Sequence, residues 1–172
     1  NRGMACSPYG AQYLLEALFE AGLDEYALHL LTRDDPRGWV NMMRSGSTVT
    51  TEAWDIRYKP NQDWNHAWGA APANILPRYV MGVRPLEAGF GKILIRPQAA
   101  ALEAVQGIHP TVRGQVTVGL RQKPGERYKV MFAIPANTTA RLEMPAFTSA
   151  SGDLTLDGKI VPYEVDGSGR PV

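Results

Sequence analysis

All four tryptophans of the 172-residue chain, Trp39, Trp54, Trp64 and Trp68, lie before Pro85, and none follows it. The hydrophobic period changes at the same place, from the spacing of buried helices to the alternation of half-buried strands. A chain built this way is held to two unlike parts, and we expect one domain over 1–84 and another over 85–172. In the first part, Ala11, Leu14, Leu15 and Leu18 mark one face of a helix over 9–21. Gly22 suits its C-terminal stop, because glycine takes the left-handed conformation cheaply. Asp24 is placed to cap a second helix whose buried stripe is Ala27, Leu28, Leu30 and Leu31, and Asp34, Asp35 and Pro36 end it. A connection this short predicts a helical hairpin. A third helical stretch over 64–81 carries Pro72 and Pro77, which should break or kink it.

In the second part, residues 92–96, 115–121, 127–134 and 138–144 read as strands, with Pro135, Ala136 and Asn137 turning between the last two. Asp157-Gly158 is a hairpin signal between 154–156 and 159–161. Several short strands at this spacing suggest an antiparallel sandwich, with 99–106 as a short helix interrupting it.

Composition narrows the function. The 18 Lys and Arg against 17 Asp and Glu leave a net charge of +1, which argues against a nucleic-acid partner. No run of 18 apolar residues exists to span a membrane. The single Cys6 excludes an internal disulfide and fits either a reducing or an oxidising compartment. No Cys/His cluster has metal spacing, and no cofactor or metal is expected. Gly46-Ser47-Thr48 lacks the lysine of a phosphate loop, and no nucleophile elbow of the G-x-S-x-G type occurs. The chain opens on Asn1 without a signal peptide, which reads as processing or, preferably, as a piece of a longer protein.

The densest chemistry lies over 38–69, where the four tryptophans interleave with Glu52, Asp55, Asp63, Asn65 and His66 behind a hydroxyl-rich run at 46–51. Sugars present apolar C–H faces ringed by hydroxyls, so their sites combine flat aromatics with carboxylates, amides and imidazoles. Clustered tryptophans also serve as the core of a helical domain, and composition leaves both readings open. Glu52 is the residue singled out. A carboxylate there can act as a general base on water if it comes within hydrogen-bond reach, or it can stabilise a helix N-terminus capped by Thr50 or Thr51. His66 is either a donor to a sugar hydroxyl or a histidine packed near the core. His29 and His109 read as structural or exposed.

The string G-W-V-N-M-M-R-S-G-S-T-V-T-T-E-A-W over 38–54 resembles a segment of the α-L-rhamnosidases of glycoside hydrolase family 78, which read close to G-x-M-x-x-x-G-A-T-T-x-W-E-x-W there. Asn65-His66-Ala67-Trp68-Gly69 is similar to the family's next landmark, N-H-x-x-x-G, with shorter spacing. Residues 82–97 look like the junction into the family's C-terminal β-sandwich, and 134–140 resemble a strand-turn segment late in it. The likeness covers most of 1–145.

The resemblance implies an α+β multidomain chain: a partial (α/α)6 six-hairpin barrel followed by an antiparallel β-sandwich, with most of the barrel outside these residues. It implies an inverting glycosidase that removes terminal α-L-rhamnose from rhamnosides or rhamnose-containing polysaccharides. In such enzymes one carboxylic acid protonates the leaving oxygen and one carboxylate activates water, roughly 6.5–9.5 Å apart. The family's general acid lies earlier in the barrel, outside this chain. Its general base aligns with Glu52, its sugar-contacting histidine with His66, and Trp54 and Trp39 are expected to shape the pocket. Thr51 stands where the family has Trp, and Ser47 where it has Ala, which keeps a different deoxysugar or uronide in view. A non-catalytic carbohydrate-binding or scaffolding module is the reading from another class. The partners expected are the rhamnoside, the remainder of the parent chain and, through an apolar face left by the missing hairpins, a second copy of this chain.

Overall fold

The computed structural model describes residues 4–123, 127–144, 155–160, 162–164 and 167. They fall into two compact units, one running to Val80 and taking in Ala99–Leu102, the other comprising Met81–Gln98 and the chain from Glu103 on.

The first unit begins with α1 (Pro8–Glu20). Ser7 caps it by accepting from the Gly10 amide at 3.3 Å, and Pro8 occupies the first turn, where its missing N–H costs nothing. Gly22, at φ 72°, ends it in a Schellman motif: its amide bonds Phe19 O, and the Leu23 amide bonds Leu18 O. Ala11, Leu15 and Phe19 form the fully buried stripe, with Leu14 and Leu18 half-buried beside it. The second helix, α2 (Asp24–Thr32), buries Ala27, Leu30 and Leu31. Asp24 is its first helical residue, and Leu23 rather than Asp24 holds the cap position. Asp24 and Glu25 instead put negative charge in the first turn, where the helix dipole favours it.

A short helix that the spacing did not announce, α3 (Trp39–Arg44), follows. The stretch over 64–81 is divided as its prolines require. A 3-10 turn at Ala67–Gly69 leads to α4 (Ala71–Ile75), with Pro72 in its first turn, and then to a π-helical turn at Leu76–Val80 containing Pro77. Phe19 of α1 stacks on Tyr79 at 5.1 Å. The Tyr79 hydroxyl donates to Glu20 at 3.0 Å, and Arg78 donates to Glu16 at 2.9 Å. These contacts seat the end of the unit on α1. No helix among the described residues is long and apolar enough to cross a membrane.

In the second unit, β1 (Val83–Pro85), β2 (Lys92–Ile95) and β6 (Thr139–Leu142) make one sheet in the order β1-β2-β6. The strands β3 (Ala104–Thr111), β4 (Gly114–Lys123) and β5 (Arg127–Ala133) make a second, in the order β3-β4-β5. Val83, Ile93 and Ile95 from the first sheet and Val116 and Val118 from the second share one core with Met81. Burying each such side chain contributes about 1.5–3 kcal/mol.

Two expectations change here. Residues 104–106 belong to β3 rather than to a helix; the strand lies at a sheet edge, where Pro110 is tolerated because its missing N–H breaks no second ladder. The turn at 135–137, with Asn137 at φ 59°, lies where expected and carries the chain from one sheet to the other. As a result β6 pairs with β2 in parallel, Ile93 opposite Ala140, so one ladder of the sandwich departs from the antiparallel pattern. The hairpin around Asp157-Gly158 forms β7 (Thr155–Leu156) and β8 (Lys159–Ile160), and both turn residues have positive φ, as a type I′ turn demands. Residues 154 and 161 of that expectation lie outside the described residues.

Candidate active site

Glu52 sits in an irregular loop, not at a helix start, and its position is set by the backbone around it. The Glu52 amide donates to Asp63 O at 3.0 Å, and the His66 amide donates to Thr50 O at 2.8 Å. The Thr50 hydroxyl returns a bond to His66 O at 3.0 Å. These bonds lace 50–52 against 63–66. Thr51 is only 2% exposed and donates to Ala53 O, and the buried Gln62 accepts from the Ala53 amide. A Cβ on Gly69 would lie 2.7 Å from Thr51 O and 2.9 Å from Thr50 Cβ, so only glycine lets the 3-10 turn close on this loop.

Trp39 and Trp54 lie beneath the loop. Both are buried, their rings meet edge to face at 4.9 Å, and each indole N–H is bonded to a backbone carbonyl, Trp39 to Gly69 O at 2.7 Å and Trp54 to Cys6 O at 2.6 Å. The two rings expected to shape a pocket therefore sit in the core under it. The Asn41 amide ties α3 to the same loop through Trp54 O and the Asp55 carboxylate, both at 2.9 Å. Bonds from the Arg57 amide, Asn41 and the Arg57 side chain hold the Asp55 carboxyl down to about 2.

Above this base the polar groups converge on Glu52. Lys59 forms an ion pair with Oε1, and the Asp63 amide donates to Oε2 at 3.1 Å. The Lys59 bond, and after it the Asp63 amide, keep the Glu52 carboxyl below its ordinary value. His66 Nδ1 faces Asp63 Oδ2 at 3.3 Å, and one ligand atom from each of Glu52, Asp63 and His66 lies within 4.8 Å of the others. Trp68 donates its indole N–H to Glu52 O at 3.1 Å and packs on His66 with ring centres 4.0 Å apart. Trp68 and Trp64 are about half exposed, and Tyr9 extends the aromatic surface from Trp68 at 5.5 Å.

Glu52 and His66 are thus brought together, whereas Trp39 and Trp54 support them from below. Lys59 and the Asp63 amide escaped the sequence reading. Neither belongs to a recognisable pattern, and only the turn over 56–61 returns them to Glu52. Trp68, two residues beyond His66, carried a signal in its spacing alone. A carboxylate kept ionised, with an imidazole and an exposed indole beside it, suits an electron-pair donor to water and a sugar-facing wall rather than a proton donor.

The half-buried Glu52 carboxylate lies on an irregular loop of the helical unit, and a unit built on two three-stranded sheets follows it in the chain. Residues 3–80 match the bacterial alpha-L-rhamnosidase 6-hairpin glycosidase domain, and residues 82–156 match the bacterial alpha-L-rhamnosidase C-terminal domain. The chain belongs to the bacterial α-L-rhamnosidase family. It is 27% identical over 150 residues to an alpha-L-rhamnosidase of Alteromonas sp. (strain LOR), covering 81% of this chain and 16% of that protein. With an alpha-L-rhamnosidase of Formosa agariphila it is 29% identical over 151 residues, covering 83% and 16%. The chain therefore spans less than a fifth of the length of these relatives. Its fold is similar to that of the α-L-rhamnosidase from Dictyoglumus thermophilum, with a TM-score of 0.79 at 18% identity over 94% of this chain and 19% of that one. A Streptomyces avermitilis α-L-rhamnosidase solved with L-rhamnose gives a TM-score of 0.71 at 24% identity, over 80% and 14%.

Proposed function

We propose that this chain supplies the catalytic base and part of the sugar-binding wall of an inverting glycosidase that releases terminal α-L-rhamnose. The carrying observation is the Glu52 carboxylate, anchored at both oxygens and held ionised by the Lys59 ion pair and the Asp63 amide. A general acid needs the opposite environment, one that raises its pKa. An ionised carboxylate has about four acceptor positions, so the two anchors leave lone pairs for a water. Glu52 draws a proton from that water as its oxygen attacks the anomeric carbon. A carboxylic acid outside this chain protonates the departing oxygen on the opposite face of the ring, which inverts the configuration.

His66 is the hydrogen-bonding partner of a sugar hydroxyl, and the exposed Trp68 ring beside it offers a flat face to the sugar's C–H groups. Trp39 and Trp54 serve that wall from beneath by fixing the loop. Thr51, at the position of the family's tryptophan, is buried and acts on the position of Glu52 rather than on the sugar.

The test is proton NMR of the full-length protein hydrolysing an aryl α-L-rhamnoside. The first product seen should be β-L-rhamnose, with the α anomer appearing only as it mutarotates. Initial α-L-rhamnose would overturn the inverting assignment, and no hydrolysis would move the reading to another sugar.

A further inference from the structure

We infer that Lys59 is a positioning residue for Glu52, fixing one carboxylate oxygen while the Asp63 amide fixes the other. The inference rests on the reading of Glu52 as the base. Its geometry is a two-point clamp: Lys59 Nζ on Oε1 from the turn over 56–61, and the Asp63 N–H on Oε2 from the segment leading to His66. The Glu52 side chain is only 12% exposed and Lys59 is 40% exposed, so the carboxylate lies inside the site and the ammonium closes over it from the solvent side. The charged and titratable groups facing Glu52 among the described residues are Lys59, Asp63 and His66. The Asp63 side chain adds a second negative charge to the group, with a carboxylate oxygen within 4.8 Å of the Glu52 carboxylate. Lys59 offsets that charge and orients the oxygen it holds. It acts through Glu52 and touches no reacting atom.

Such a residue has a kinetic signature that packing alone does not. Removing the ammonium makes Glu52 easier to protonate, so activity must fail at a higher pH on the acid side. A purely structural lysine would scale activity alike at every pH. The experiment is the pH profile of kcat/KM on an aryl α-L-rhamnoside for the full-length protein, with Lys59→Met, Lys59→Arg and Glu52→Gln measured beside it. The expected result is an acidic limb displaced to higher pH in Lys59→Met, with a larger loss at acidic than at neutral pH, and a limb returned toward its original position in Lys59→Arg. An unmoved limb in Lys59→Met, whether activity is retained or lowered uniformly, overturns the positioning role. Glu52→Gln separates the two ideas. If it abolishes activity while Lys59→Met leaves the limb in place, the base stands and Lys59 falls. If Glu52→Gln stays active with its acidic limb intact, the base reading falls and takes Lys59's role with it.

Discussion

Replacing Gly69 by alanine tests whether close backbone approach positions the candidate base. The added methyl would stand 2.7 Å from Thr51 O and 2.9 Å from Thr50 Cβ, against the 3.4 Å at which ordinary contact begins. The crowded carbonyl is main chain, so relief must come from moving the loop by several tenths of an ångström rather than from a side-chain rotation. That loop cannot move freely. Thr50 is bonded to His66 in both directions, Thr51 is buried, and Gly69 O is the acceptor for the buried Trp39 indole. Overpacking of this kind costs about 1–3 kcal/mol. In a chain of this size each kcal/mol lowers Tm by roughly 2–4 °C. Because the displaced carbonyl belongs to the residue before Glu52, the full-length protein should also lose turnover, by up to about 10²-fold if the carboxylate is carried as far as 1 Å. Gly91→Ala is the control: its methyl would come no nearer than 3.5 Å, to the guanidinium of Arg113, which is ordinary contact, and should change stability by less than about 0.5 kcal/mol. Thermal and urea unfolding of the two variants give the comparison. A Gly69→Ala protein as stable as the control would refute the close-approach argument.

Asp55 predicts an acid-side signature. Its carboxyl lies at about 2 in the fold against an ordinary 3.8, so its stabilising effect is complete above pH 3.8 and is lost as pH falls toward 2. Urea unfolding between pH 5 and 2 should fall less steeply in Asp55→Asn than in the parent sequence, and equal slopes would contradict the assignment. The outward aromatic row of Tyr13, Tyr9 and Trp68 is exposed on the first unit, and we predict that the isolated chain self-associates through it. Light scattering should show mass rising with concentration and returning toward the monomer in Tyr9→Ser/Tyr13→Ser; a monomer at high concentration would contradict this.

Local rules made much of the fold legible. Gly22 announced the end of α1 because a left-handed stop needs glycine, and alternation announced β4 and β5, since each buries one face. What escaped was set at a distance. The parallel pairing of β2 with β6 joins segments far apart in sequence, which periodicity cannot register. Strand β3 was obscured because the alanines at 99–101 and 104 imitate a helix running into it. Helix α3 is too short to show a period.

The candidate site divides the same way. Glu52 and His66 stood out through their likeness to the family's motifs, and the fold brings the two side chains together. Whether Trp39 and Trp54 face a ligand or the core was decided by acceptors 30 and 48 residues away in the chain, Gly69 O and Cys6 O. Lys59 was invisible because an ion pair seven residues along an irregular loop follows no repeat.

The most direct test of the account is turnover of an aryl α-L-rhamnoside by the full-length protein with Glu52 intact and with Glu52→Gln. The amide keeps the shape of the side chain but cannot take the water's proton. Hydrolysis by the parent and a fall of roughly 10²–10⁴-fold in the variant are predicted, that being the worth of a general base. A loss smaller than about fivefold, far below what general-base catalysis contributes, would contradict the assignment of Glu52.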